Sequence, residues 1–281
     1  MNNFGEFQHN LRKHWDKRAT QDIPLGVGAG SPEAEILRTS GLYGKATIST
    51  LTRHVNLNEL QGYKIMDFGC GSGRLSKMLA PHVRKVICAD ISENFLNLAK
   101  INLRDFSNVE YLLLDSPPLL LNLESEEIDF SFAYAALDYM PTKEVFFTTL
   151  SEINRVSKSF ALQLGPNSRD ENMNHCGLTG SVDPNDELGY VPTTLELKSF
   201  FNGDNYLIES LAPELEIRGF DRFVYKLTNQ QLILTETFGQ QNLNRVYENN
   251  KIFRSISNSN LGILDKIINL ASKFKSIILI K

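Results

Sequence analysis

Short, uniformly apolar runs alternating with segments of helical period constrain this chain more than any other feature. The runs are YKIMDF (63–68), RKVICAD (84–90), VEYLLLD (109–115), IDFSFAYAAL (128–137) and SFALQLG (159–165). Between them, GRLSKMLAPHV sets Leu75, Met78 and Leu79 at helical spacing and stops at Pro81. SENFLNLAKINLRDF opens on Ser92, a residue type suited to an N-cap, and places Phe95, Leu98, Ala99 and Leu103 on one face. TKEVFFTTLSEINRVS predicts a further helix. Runs this apolar cannot line a sheet with one wet face, so they predict a doubly wound, mostly parallel sheet with helices on both faces. After Gly165 a long polar loop leads to a helix at TTLELKSFF and two strands within YLIESLAPELEIRGFDRFVYKL, making seven strands in all.

The first of these runs ends in a peculiar turn. In KIMDFGCGSGR, three glycines stand at alternate positions, Gly69, Gly71 and Gly73, two residues beyond Asp67. They lie where a first strand passes into a helix, and in an open α/β sheet the crevice at the carboxyl ends of the strands binds ligands. Glycine there lets something approach the backbone closely and permits dihedrals that other residues avoid. Dinucleotide sites use the same position, with the spacing GxGxxG; here the spacing is GxGxG and the sixth residue is Arg74.

IMDFGCGSGR resembles motif I of the class I S-adenosylmethionine-dependent methyltransferases, of the small-molecule type, and the resemblance runs from about Tyr63 to Leu227. It implies a Rossmann-like fold with S-adenosyl-L-methionine as cofactor. The loop Gly69, Cys70, Gly71 and Gly73 would cradle the methionine end and ribose, and Asp67 would hold the ammonium directly or through water. The second run ends in Asp90, implied to accept hydrogen bonds from the ribose hydroxyls. The third ends in Asp115, implied to face the adenine amino group. Ile91 and Ser116 follow these acids and would line the adenine pocket, and the fourth run, with Ala133 at its end, would pass beneath the sulfonium. Taken singly, Asp90 and Asp115 also have the look of ordinary strand-terminal aspartates that cap a helix.

Relatives of this type often carry a histidine in the turn after the fourth strand. This chain has LDYMPT, with Tyr139 in that position and Asp138 before it. Tyr139 and the loop residue His175 are the candidate catalytic groups, each with a plain structural alternative. HWDKRA resembles an N-terminal stretch that folds over the cofactor in several small-molecule methyltransferases, which would bring Trp15, Arg18 and Tyr43 to its border. The reading is methyl transfer to a small molecule, at oxygen, with a nitrogen or carbon acceptor left open. Two alternatives are a membrane-associated lipid or quinone as acceptor, and a non-catalytic cofactor-binding protein of the same fold.

With 281 residues, 42% of them hydrophobic, the chain has ample material for a core. A net charge of −4 argues against a nucleic-acid partner, as does AYAA where base amino-methyltransferases carry an NPPY-type tetrapeptide. The three cysteines show no metal-ligand spacing, so no metal is expected, and without a signal-like opening stretch a cytoplasmic setting is expected. The first forty residues read as irregular, with a broken helical pattern from Glu33 through Ile36, Leu37, Ala46, Ile48, Leu51 and Val55 toward Leu60. From Asn229 the chain turns basic, seven Lys and Arg against three acids, and 261–278 has one broad apolar helical face. That helix suits docking on its own protein or on a second subunit, as in a homodimer, better than contact with a membrane. The predicted divisions are an N-terminal arm with helices acting as a lid (1–60), the methyltransferase domain (61–228) and a C-terminal helical extension (229–281).

Overall fold

The computed structural model describes residues 3–20, 47–48, 50–55, 59–114, 120, 122–140, 142–165, 190–203, 205–211 and 221–229. The chain divides into two compact units, Met1–Ile233 and Leu234–Lys281, and all described residues belong to the first. Its frame is a seven-stranded sheet: β1 (Lys64–Phe68), β2 (Lys85–Asp90), β3 (Val109–Leu113), β4 (Ile128–Ala133), β5 (Ser157–Leu164), β6 (Tyr206–Leu211) and β7 (Asp221–Lys226). The spatial order is β3-β2-β1-β4-β5-β7-β6. The first five strands pair in parallel, while β7 inserts antiparallel between β5 and β6.

The described helices are α1 (Asn3–Thr20), α2 (Arg74–Leu79), α3 (Glu93–Asn102), α4 (Lys143–Val156) and α5 (Thr194–Phe200). The chain winds outward from β1 to β3 in one direction and from β4 to β5 in the other. Right-handed crossovers therefore put α2 and α3 on one face and α4 on the opposite one. The reversal between β1 and β4 opens a crevice at their carboxyl ends, which is where the glycine turn lies.

Local chemistry sets the boundaries. Ser92 caps α3 by accepting a hydrogen bond from the Phe95 N–H, and Thr142 does the same for α4 through Val145. Thr193 and Glu196 form a reciprocal capping box on α5. The helix after β1 ends at Leu79 and tightens into a 3-10 turn, Ala80–His82, that accommodates Pro81. The centre of the sheet is as apolar as its sequence demands: Ile65, Met66, Phe68, Val86, Ile87, Ala89, Phe130, Phe132, Phe160 and Leu162 are all buried. β3 is more exposed, because it forms the edge of the sheet.

The reading of the first forty residues as irregular needs correction, since residues 3–20 are one continuous helix. Phe4, Phe7, Leu11 and Trp15 recur along it at helical spacing, and tertiary hydrogen bonds tie it to α3 and to the ends of β2 and β3. Ile48, Leu51, Val55 and Leu60 are buried, as their spacing predicts. Ile36, Leu37, Tyr43, Ala46 and the C-terminal extension lie outside the described residues.

Candidate active site

The glycine turn is built from β1 outward. The N–H groups of Gly69 and Cys70 both donate to the Ala89 carbonyl, at 2.8 and 3.1 Å, which ties the turn to β2. All three glycines have positive φ, at 73°, 53° and 76°, a conformation that costs other residues roughly 1–2 kcal/mol. Their surroundings differ. A Cβ on Gly69 would stand 2.3 Å from the Ala136 Cβ, and one on Gly73 would stand 2.7 Å from Leu103 Cδ1. At these two positions the protein itself approaches closely on the Cβ side. Gly71 is different: a Cβ there would meet only Phe95 Cδ1, at 3.9 Å. Its surface is the open one.

Asp90, the last residue of β2, is buried, and both of its carboxylate oxygens are held. Oδ2 accepts from the Gly71 N–H at 2.8 Å and Oδ1 from the Ser92 N–H at 2.9 Å. Its carbonyl accepts from the Leu114 N–H at 2.8 Å, so one residue joins the glycine turn to the ends of β2 and β3. Burial raises its pKa, and the backbone hydrogen bonds oppose that rise.

Asp67 lies beneath the turn, 3% exposed, with Oδ2 accepting from the Ser76 hydroxyl at 2.6 Å. The Cys88 thiol donates in turn to Ser76, at 3.2 Å. Burial pushes the Asp67 carboxyl up to about 7, against the pull of Ser76. The folded protein thus keeps a proton that the unfolded chain releases near pH 3.8. The stabilisation from this group is fully present below that value and is lost as pH rises through about 7, the reverse of a salt-bridged carboxylate. Asp67→Asn should flatten this decline, as read by denaturant unfolding at several pH values. A slope unchanged in the variant would assign the dependence to another group.

Cys70 is buried, and its thiol points back to the Gly71 carbonyl at 3.4 Å. Ala133 ends β4, fully buried and in register with Phe68 of β1 and Leu162 of β5. The chain then makes a tight excursion. Ala135 has φ 52°, unusual for a residue with a side chain, and the Gln163 side-chain oxygen holds its N–H at 2.8 Å. The next residue, Ala136, is the one that fills the space over Gly69.

Tyr139 closes the 3-10 turn Leu137–Tyr139, half-buried, with its ring edge-on to Trp15 at 4.7 Å between centroids. Trp15 also meets Phe95 of α3 at 6.3 Å. The tryptophan of α1 therefore spans from the helix after β2 to the turn after β4. Asp138 does not face the crevice as a free acid: its carboxylate accepts from the Gly165 N–H at the end of β5. Arg222, fully buried on β7, donates to the Gly165 carbonyl at 2.9 and 3.2 Å.

The described residues thus bring together Asp67, Gly69, Cys70, Gly71, Gly73, Asp90, Ile91, Ala133 and Tyr139 at one end of the sheet. His82 is at the other end, just before β2. Asp115, Ser116 and His175 lie outside the described residues. Gln163, Arg222 and Arg12 escape a sequence reading. The first two sit in or beside apolar strands with no motif around them, and Arg12 is a charged residue on a polar helix. Their only sequence signal is a polar side chain where the pattern calls for burial, and only Gln163 and Arg222 show even that.

The family model described as "Methyltransferase domain" matches residues 65–159. This part of the chain is similar to a methyltransferase domain. It runs from β1 into β5 and so contains the glycine turn, Asp90 and the turn that follows β4. The chain shares its fold with magnesium protoporphyrin IX methyltransferase from Synechocystis PCC 6803, solved with bound SAH. That match has a TM-score of 0.56 and 16% identity over 79% of this chain and 100% of that one. A phosphoethanolamine N-methyltransferase from Haemonchus contortus, in complex with phosphoethanolamine and S-adenosylhomocysteine, gives 0.55 and 15% over 82% of this chain and 53% of that one. The chain therefore spans about half the length of that protein. A SAM-dependent methyltransferase from Leishmania major gives 0.54 and 14%, over 78% and 82%. At these identities the likeness is one of fold. No curated protein sequence matches the chain.

Proposed function

We propose that the protein is an S-adenosylmethionine-dependent methyltransferase acting on a small-molecule acceptor. The observation that carries this reading is the pairing of an open Gly71 with a buried, doubly held Asp90 at the reversal point of the sheet. The residues fit the cofactor. The protein's own atoms fill the space over Gly69 and Gly73 and leave Gly71 bare, and a carboxylate already oriented by two backbone N–H groups has lone pairs left for ribose hydroxyls. Asp67, with one oxygen given to Ser76, suits an ammonium partner, and such a cation would draw its raised pKa down.

The bound cofactor supplies an electrophilic methyl group on sulfur. What the chain contributes is alignment and exclusion of water, which carry much of the acceleration in such a transfer. Asp90 and the glycine turn would hold the donor, with the turn after β4, tied to Gln163, and the Trp15–Tyr139 pair as the groups that would border it. Oxygen is the acceptor atom in this reading, and Tyr139 is the residue that would hydrogen-bond it. Among the described residues no helix is long and apolar enough to cross a membrane.

Calorimetry tests the proposal. S-Adenosylmethionine and its demethylated product should bind, and NAD should not. Tight NAD binding with no response to the methyl donor would end the reading. Incubating the protein with label-bearing donor and an extract of its source cells, followed by mass spectrometry, would then identify the methylated atom.

A further inference from the structure

Arg12 belongs to no sequence motif, yet it joins two strand ends at once. Its Nε donates to the Ile91 carbonyl at 3.0 Å and its Nη2 to the Leu114 carbonyl at 2.9 Å. Ile91 and Leu114 are the first residues beyond β2 and β3. Between them stands Asp90, which accepts from the Leu114 N–H through its carbonyl and from the Ser92 N–H through Oδ1. One helical turn along α1, Asp16 Oδ1 accepts from the Ser92 hydroxyl at 2.5 Å and from the Asn94 N–H at 3.2 Å. The Asp16 carbonyl accepts from the Asn94 side-chain amide, also at 3.2 Å. Trp15, between the two, reaches Tyr139. Helix α1 is therefore fastened to both walls and to the helix cap that follow Asp90.

A guanidinium presents its N–H groups as a rigid planar fork, so one Arg holds two carbonyls at a set separation that the rotatable donors of an ammonium fix less tightly. We propose that Arg12 is a positioning residue of the cofactor site. It bridges the Ile91 and Leu114 carbonyls, fixes the spacing of the β2 and β3 ends on either side of Asp90, and ties cofactor release to the lifting of α1. This inference rests on the methyltransferase reading, because the ligand whose nucleoside lies between those strand ends is the one proposed there.

The chain has a single tryptophan, Trp15, so its fluorescence reports directly on α1. Two measurements on full-length Arg12→Ala test the inference. Without ligand, amide exchange at Ser92 and Leu114 should rise about tenfold, the loss expected for two hydrogen bonds. With S-adenosylhomocysteine, dissociation followed by Trp15 fluorescence in stopped flow should also quicken about tenfold. In turnover, KM for the donor should rise by a similar factor, with kcat equal to or above wild type. Arg12→Lys keeps the charge but not the fork and should recover only part of each effect, whereas a role in general helix stability would be rescued fully. Wild-type exchange in Arg12→Ala would overturn the proposal whether or not the protein binds the ligand. So would raised exchange with an unchanged dissociation rate. A wild-type protein that fails to bind S-adenosylhomocysteine at all would instead overturn the functional reading beneath it.

Discussion

Gly69→Ala should destabilise the protein more than any other single-methyl addition in the glycine turn. The new Cβ would lie 2.3 Å from the Ala136 Cβ, an atom fixed to backbone that cannot swing aside. The left-handed backbone adds roughly 1–2 kcal/mol and the overpacking about 1–3 kcal/mol, so a loss of roughly 2–5 kcal/mol is expected. For a domain of this size that corresponds to a melting temperature lower by about 5–15 °C. Gly71→Ala meets only an ordinary van der Waals contact with Phe95, so only the backbone strain of roughly 1–2 kcal/mol should appear. Its effect should fall on ligand binding instead, with affinity for the methyl donor reduced about tenfold or more. Thermal melts and calorimetry on the two variants separate these roles. Equal losses of stability would mean that the packing over Gly69 is not what it requires.

Asp90→Ala should have the second large effect, this time on both properties. It strips the acceptor from the Gly71 and Ser92 N–H groups at once, and an orphaned buried donor costs about 1–3 kcal/mol. It also removes the carboxylate proposed to accept from the ribose, a charge-assisted contact of about 1.5–3 kcal/mol, or roughly ten- to 150-fold in affinity. Asp90→Asn keeps the shape and one acceptor but turns an NH2 group toward one of the two backbone donors, so it should be intermediate in stability. Calorimetry with the methyl donor, at a temperature where each variant is folded, checks the binding term. Wild-type affinity in the alanine variant would remove Asp90 from the site and leave it as a structural tie between the glycine turn and the end of β2.

The two variants share a physical point. Both residues stand in a motif read as a ligand cradle, yet the structure gives each of them internal partners first. Gly69 accommodates Ala136, and Asp90 anchors Gly71. A preorganised site has this character, because groups that must meet a ligand without rearranging have to be held in place when no ligand is there.

What the sequence determined by itself was the sheet and the place of the crevice. Apolar runs of strand length, interrupted by helical periods and by residues such as Ser92 and Pro81, can bury themselves only in a covered parallel sheet. GxGxG after the first strand, with Asp67 and Asp90 at fixed places, marked the edge where a ligand would lie. These signals are local: each is a residue type at a set distance along the chain. The tertiary structure decided the rest, because it depended on which distant residues meet. It turned an opening stretch that reads as irregular into the 3–20 helix, since Arg12 and Asp16 find partners roughly 80 to 100 positions away. It set Gly69 against Ala136 and Gly73 against Leu103 and left Gly71 with only Phe95 nearby, a distinction of neighbours and not of spacing. It gave Asp138 to Gly165 and placed Tyr139 against Trp15. A hydrogen bond between residues far apart in the chain leaves no periodicity behind, so only folding in three dimensions could bring those partners to light.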